Sequence, residues 1–229
     1  QGYNIIFGTT FGYIDAMAEM AEEYPDVIFL HCSGYLNNDT NFANYFGKMY
    51  QPRYLSGLAA GAMTNSNKIG YVAAFPIPEV IRGINAFAAG VNEVNPEATV
   101  EVVWTSTWFG PEVETQAANA LLEKGADVLA QHQDSTATGL AAEAAGAKWI
   151  SYNTAYGQDS APEAFVTAPV WDWGPYYVNI VEQIIDGTFT TESYWGGMET
   201  GLVSLYDLSS DVPSAVSYTH LRAHETRIH

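Results

Sequence analysis

Positive charge is what this chain has least of: 8 Lys and Arg residues face 26 Asp and Glu, a formal net charge of -18. Nucleic acid and anionic membranes both need clustered cations to meet their phosphates, so this balance argues against either as a partner and favours a neutral or cationic ligand. The single cysteine, Cys32, excludes an internal disulfide, and its place in FLHC at the end of an apolar run suits a small buried residue. A lipid-attachment cysteine would follow an apolar signal segment, whereas Cys32 follows a Glu-rich, helix-like stretch. No run reaches the roughly 18 apolar residues of a membrane span, and GLAAGAM (Gly57 to Met63) reads as a tightly packed helix.

Several chemistries are missing too. There is no GxGxxG after a strand and no GxxxxGKS/T, so the phosphate-cradling loops of nucleotide enzymes are absent, and neither GxSxG nor HExxH occurs. Outside the last stretch of chain the only histidines are His31 and His132, both at predicted strand ends, and no nucleophile stands on a strained strand-to-helix turn as a catalytic triad needs. His132 and Asp134 form an i, i+2 pair without an evident third ligand, so no metal, no cofactor and no catalytic residue are expected.

What is there is an alternation of strands and helices. A hydrophobic content of 48% supports packed cores, and 229 residues suffice for one large domain or two lobes of about 100 residues each. Apolar runs at Tyr3 to Phe7, Val27 to His31, Ile69 to Ala73, Val100 to Trp104, Asp127 to Gln131 and Lys148 to Tyr152 read as strands. Helical patterns cover Gly12 to Tyr24, Pro52 to Asn65, Pro78 to Val94, Pro111 to Lys124, Thr136 to Ala145 and Pro175 to Asp186, with Pro in first turns and Gly125 and Gly187 as stops. Alternation of this kind means βαβ units and a mostly parallel sheet. The polar stretch Thr64 to Lys68 and the segment Ala168 to Gly174 stand out as crossovers between two lobes; Thr188 to Gly197 reads as a looser aromatic segment before a last strand at Leu202 to Tyr206.

The polar residues collect where strands end. In GADVLAQHQDSTATG a buried strand runs into Gln131, His132, Gln133 and Asp134 just before a helix, and open α/β sheets hold ligands beyond the carboxyl ends of their strands. Equally, Ser135 or Asp134 is placed to cap that helix. Aromatics recur at the same positions: Phe11 in GTTFGYID, Trp108 in TSTWFGP, and Trp171 and Trp173 around Asp172 in VWDWGPYY. Each alone covers a core edge; together beside Asp134 they describe a pocket that stacks a flat ring while a carboxylate and amides read its donors.

The runs FGYIDAMAEMAEEYPDVIF, KIGYVAAFPIPEVIRGINAFAAGVNEVNP, VVWTSTWFGPEVETQAANALLEKGADVLAQHQDS and WDWGPYYVNIVEQIIDGTF resemble the basic membrane protein (PnrA-like) family of ABC transporter substrate-binding proteins, over nearly all of Gly2 to Pro213. The resemblance implies the α/β type I periplasmic-binding-protein fold: two Rossmann-like lobes of parallel sheet flanked by helices, closing on a purine base or nucleoside, adenine-like in the most similar branch. It divides the chain into lobe one, 1–67 plus 171–197, and lobe two, 68–170 plus 198–213, and implies that the export signal and lobe one's first strand and helix are missing from the front. The ligand-binding residues it points to are Phe11, Tyr50, Trp108, His132, Asp134, Asp172 and Trp173, with Trp108 stacking on the base, Asp134 accepting hydrogen bonds, and Tyr50 with Arg53 opening the helix after a crossover loop. It implies a monomeric protein in the periplasm or on the outer face of the cytoplasmic membrane, lipid-anchored or free, that delivers ligand to a permease. A nucleoside hydrolase using Asp134, and the sensing core of a regulator, are the competing readings of the same fold. Residues 214–229 (SAVSYTHLRAHETRIH), with His220, His224 and His229 beside Arg222 and Arg227, read as translated adapter or vector sequence or as a metal-binding tail.

Overall fold

The computed structural model describes residues 2–216. The chain opens with β1 (Ile5–Gly8), α1 (Ile14–Glu23), β2 (Ile28–Cys32) and β3 (Phe42–Gly47). It continues with α2 (Tyr50–Met63), β4 (Lys68–Ala73), α3 (Pro78–Val94), β5 (Thr99–Trp104), α4 (Pro111–Glu123), β6 (Val128–His132), α5 (Ala137–Ala145) and β7 (Lys148–Ile150). The short α6 (Gly157–Ser160), β8 (Phe165–Thr167) and β9 (Pro169–Trp171) follow, then α7 (Gly174–Ile185), β10 (Tyr194–Gly196), β11 (Val203–Leu205) and the single turn α8 (Ser214–Val216). The tail histidines and arginines lie outside the described residues.

Two compact units share these elements. The first takes the chain up to Lys48 and Asp172–Leu202; the second takes Met49–Trp171 and the chain from Val203. The first division therefore falls before α2, whereas the sequence placed it after, at Thr64 to Lys68. That stretch is instead a turn within the second unit, fastened by Asp127, whose carboxylate accepts from Thr64 Oγ1 at 2.6 Å, Asn65 N at 2.7 Å and Ser66 N at 2.8 Å. Helix α2 belongs with α3 because the two backbones nearly touch: a Cβ at Gly57 would lie 2.1 Å from the Phe87 carbonyl oxygen, and one at Gly90 would lie 2.1 Å from that of Tyr54.

The first unit is a parallel sheet in the order β1-β2-β3-β10. Strand β3, all six residues buried, is absent from the sequence reading because FANYFG sits among asparagines that signal a turn. Those asparagines are satisfied locally: Asn38 Oδ1 accepts from Asn41 N and Phe42 N, both at 2.8 Å, and Asn44 Nδ2 donates to the His31 carbonyl at 3.1 Å. Strand β10 lies in what reads as a loose aromatic segment, and pairs in parallel with β3 through Tyr194 and Tyr45.

The second unit is a five-stranded parallel sheet, β5-β4-β6-β7-β8, with a separate antiparallel ribbon of β9 and β11. Its centre is filled by Trp149, Leu121, Leu129 and Phe165. From β4 the chain passes to β5 on one side, then crosses to β6 on the other, so the loops after β4 and β6 diverge at a topological switch point. This is where a doubly wound sheet opens a crevice for a ligand.

Candidate functional site

Strand β6, VLAQH, is buried throughout, and the turn that follows it is pinned from below. Gln131 Nε2 donates to the carbonyls of Gln133 at 2.9 Å and Ser135 at 2.7 Å, while its Oε1 accepts from Trp149 Nε1 at 3.0 Å. The loop after β5 is tied to the same turn, because Asp134 N donates to the Trp108 carbonyl at 2.9 Å. Trp108, His132 and Asp134, singled out from sequence, are thus brought to one edge. Ser135, just before the N-cap Thr136, braces the start of α5: its Oγ accepts from Ala137 N at 3.2 Å and donates to the buried Glu114. Asp134 faces outward instead, within 3.5 Å of Asn153 Nδ2, and Asn153 Oδ1 in turn accepts from Trp171 Nε1 at 2.8 Å. Protein crowding around Asp134 raises its carboxyl above the ordinary range, with repulsion from Glu114 and Glu79 adding to that and Asn153 opposing it. Asn153 (φ 68) and Ser106 (φ 58) hold left-handed backbone in the loops after β7 and β5, the sparsely populated conformation that clusters at ligand-contacting loops.

Aromatic rings run along this edge in sequence. Phe75 lies 5.4 Å from Trp108, Trp108 6.1 Å from His132, and His132 4.3 Å from Tyr152, centroid to centroid. His132 is 2% exposed and burial lowers its pKa to about 4; Glu79, with Oε1 3.7 Å from Nε2, opposes the shift, and Arg53 adds to it. At neutral pH the imidazole is uncharged. Arg53 is fully buried; its guanidinium lies 4.0 Å over the Tyr152 ring, and Nη1 donates to the Gln131 carbonyl at 2.8 Å. Burial raises the phenol of Tyr152 well above its ordinary value, and it also raises that of Tyr71, with Arg53 opposing. Glu79, Tyr152 and Asn153 are not picked out by the sequence reading, and Arg53 enters it only as part of a helix start. The one signal for Arg53 is a cation in an otherwise apolar helix face, YQPRYLSGLAAGAM.

Phe11, Asp172 and Trp173 lie in the first unit. Phe11 opens a short 3-10 turn after β1 and is partly exposed, and the buried His31 beside that turn donates Nε2–H to the Thr10 carbonyl at 2.9 Å. Trp173 stacks on Tyr177 with centroids 6.0 Å apart and meets Tyr45 edge-on at 5.4 Å; the Tyr45 and Tyr177 hydroxyls are 3.1 Å apart. Asp172 Oδ1 accepts from Gly174 N at 3.3 Å, which spends one carboxylate oxygen on the start of α7. Tyr50 is the first residue of α2, partly buried, in the second unit with Trp108. Among the described residues no three His, Cys, Asp or Glu side chains are grouped to hold a metal, and no helix is long and apolar enough to cross a membrane.

Two α/β units with parallel sheets, and a polar, aromatic edge at a switch point, define the class of α/β proteins built to hold a small molecule. The chain belongs to the Bmp family of PnrA-like ABC transporter substrate-binding proteins, whose sequence profile matches residues 1–228. It is 47% identical to a Haloferax volcanii protein provisionally named an ABC transporter glucose-binding protein, over 93% of this chain and 54% of that one. It is 38% identical to a purine-binding protein of Brucella abortus, over 96% of this chain and 63% of the other, so it spans less than two thirds of either relative. The fold is that of solved type I periplasmic-binding-protein-like structures. An ABC transporter solute-binding protein from Conexibacter woesei superposes with a TM-score of 0.76 at 24% identity, covering 99% of this chain and 77% of that chain. A transcriptional activator of the comK gene from Bacillus halodurans gives 0.86 at 24%, covering 99% and 79%.

Proposed function

We propose that the protein is the extracytoplasmic substrate-binding component of an ABC importer that captures a purine base or nucleoside and hands it to a membrane permease. The observation that carries this reading is the backbone tie between Trp108 and Asp134: at a sheet switch point it joins the loop that bears a large flat ring to the turn that bears an exposed carboxylate, with the uncharged His132 ring 6.1 Å from that of Trp108. Such a set stacks a planar heterocycle and accepts from its exocyclic amine or ring N–H. The Brucella abortus relative is named for purines, and a 26%-identical Lactococcus lactis relative is named a nucleoside-binding protein. The net charge of -18 further disfavours phosphorylated ligands. Phe11, Tyr50, Asp172 and Trp173 are assigned to the ligand in the same reading.

The name of the Haloferax relative supplies a second reading, because tryptophan and a carboxylate also serve a hexose. Calorimetric titration with adenine, inosine and glucose separates the two. Saturable binding of a purine and not of glucose is expected, with the nucleoside recovered intact, as a binding protein rather than a hydrolase requires. Asp134→Ala is expected to weaken purine binding by about tenfold or more, the loss of one hydrogen bond to a charged group. Wild-type affinity in that variant would remove Asp134 from the site.

A further inference from the structure

Arg53 is expensive to keep where it is. It is wholly buried, in the first turn of α2 where the helix dipole disfavours a cation, and Nε and Nη2 have no hydrogen-bond partner among the described residues. An apolar side chain of similar length would fill the space at lower cost. What the guanidinium does instead is join elements distant in the chain. It donates to the carbonyl of Gln131 at the end of β6, covers the ring of Tyr152 beyond β7 at 4.0 Å, and lies 5.7 Å from the ring of Tyr71 in β4. Its free Nε edge and His132 Nδ1 also face a common point on α3. A Cβ at Gly83 would come within 3.9 Å of Arg53 Nε and 3.8 Å of His132 Nδ1.

We infer that Arg53 is a positioning residue for the ligand edge: from α2 it fixes the Gln131–His132 backbone and the Tyr152 ring. The inference builds on the ligand reading above, but the influence of Arg53 on His132 is independent of it. A protonated His132 would set a second cation beside the guanidinium, and the edge would meet a heterocycle as a charged group. Glu79 of α3 favours the proton, as a carboxylate must, and Tyr71 and Tyr152 are the other titratable groups facing the pair, with Asp134 two residues along on the same turn. Burial is the largest cause keeping the proton off His132; Arg53 is the one cation among the remaining causes and acts in the same direction.

The test uses Arg53→Met and Arg53→Lys, with His132 titrated by NMR and adenine affinity measured by calorimetry. In Arg53→Met the imidazole is expected to titrate closer to its ordinary value and adenine affinity to fall about tenfold. Arg53→Lys is expected to keep the low imidazole titration, because the charge stays. Its affinity should still fall, since an ammonium cannot both bond the Gln131 carbonyl and lie flat over Tyr152. A His132 titration unchanged in Arg53→Met, or wild-type affinity in Arg53→Lys, would overturn the assignment. Should Arg53→Met not fold, Arg53→Lys decides alone: a raised imidazole titration or unchanged affinity there also overturns it. If the wild-type protein binds no adenine, the ligand reading fails, and the His132 titration still decides whether Arg53 governs the imidazole.

Discussion

At the scale of single residues, His132 links the site to stability. Its pKa of about 4 in the folded chain lies below the ordinary 6.5, so the unfolded chain takes up a proton as pH falls below 6.5 while the folded chain does not. Stability is therefore complete above that pH and is lost progressively between 6.5 and 4, by an amount on the order of 3 kcal/mol. Asp134 works the other way, since a carboxyl raised in the fold gains stability as pH drops through its range. Urea unfolding at pH 7.5 and pH 5 should show the loss in the wild type. His132→Gln should show a distinctly smaller one; an equal pH dependence in both would remove His132 as its source. Trp108, His132 and Asp134 are legible in the sequence because each lies within four residues of the end of an apolar run, so the strand end itself marks them. Arg53, Glu79 and Tyr152 are not, because their meeting depends on strand order and on α2 lying against α3, which local pattern does not carry.

At the scale of elements, helix starts with proline read well: α3 spans Pro78–Val94 as expected, and α4 begins at Pro111. A proline at the first turn fixes its own φ and lacks only a donor that the helix would not use. Strand β3 is hidden because its neighbouring asparagines bond locally, so the turn signal and the strand are both real but adjacent. The α2–α3 seam escapes notice for another reason: a glycine in a helix pattern looks like a weakness until its neighbour is known. Gly90→Ala should be costly there, because the new methyl meets the Tyr54 carbonyl rather than a side chain that can turn away. A loss of about 2–4 kcal/mol, read from the denaturant midpoint, is expected. Gly12→Ala, where nothing lies within 4 Å, serves as the control and should change little.

At the scale of the whole molecule, charge dominates. Three of the four lysines are paired with carboxylates, Lys48 with Glu199, Lys124 with Glu101 and Lys148 with Asp211, and the fourth, Lys68, donates to the Lys124 carbonyl. The remaining acidic groups repel one another in the folded chain, and that repulsion reaches about 30 Å at 0.01 M salt but only about 3 Å at 1 M. The thermal midpoint should accordingly rise when sodium chloride is raised from 0.01 M to 1 M, with most of the gain at the low end. A midpoint falling over that range would mean the ion pairs outweigh the repulsion.

The pairing of β10 with β3 sets the order in which the chain can be built. Tyr194 must have left the ribosome before Tyr45 meets its partner, whereas the five-stranded sheet needs only the contiguous stretch from Lys68 to Thr167. During synthesis the second unit's sheet can close while the outer edge of β3, a strand with all six residues buried in the finished fold, still waits open. For that interval Phe42 to Gly47 is an unpaired strand edge, and the nascent chain is then most exposed to pairing with another copy of itself.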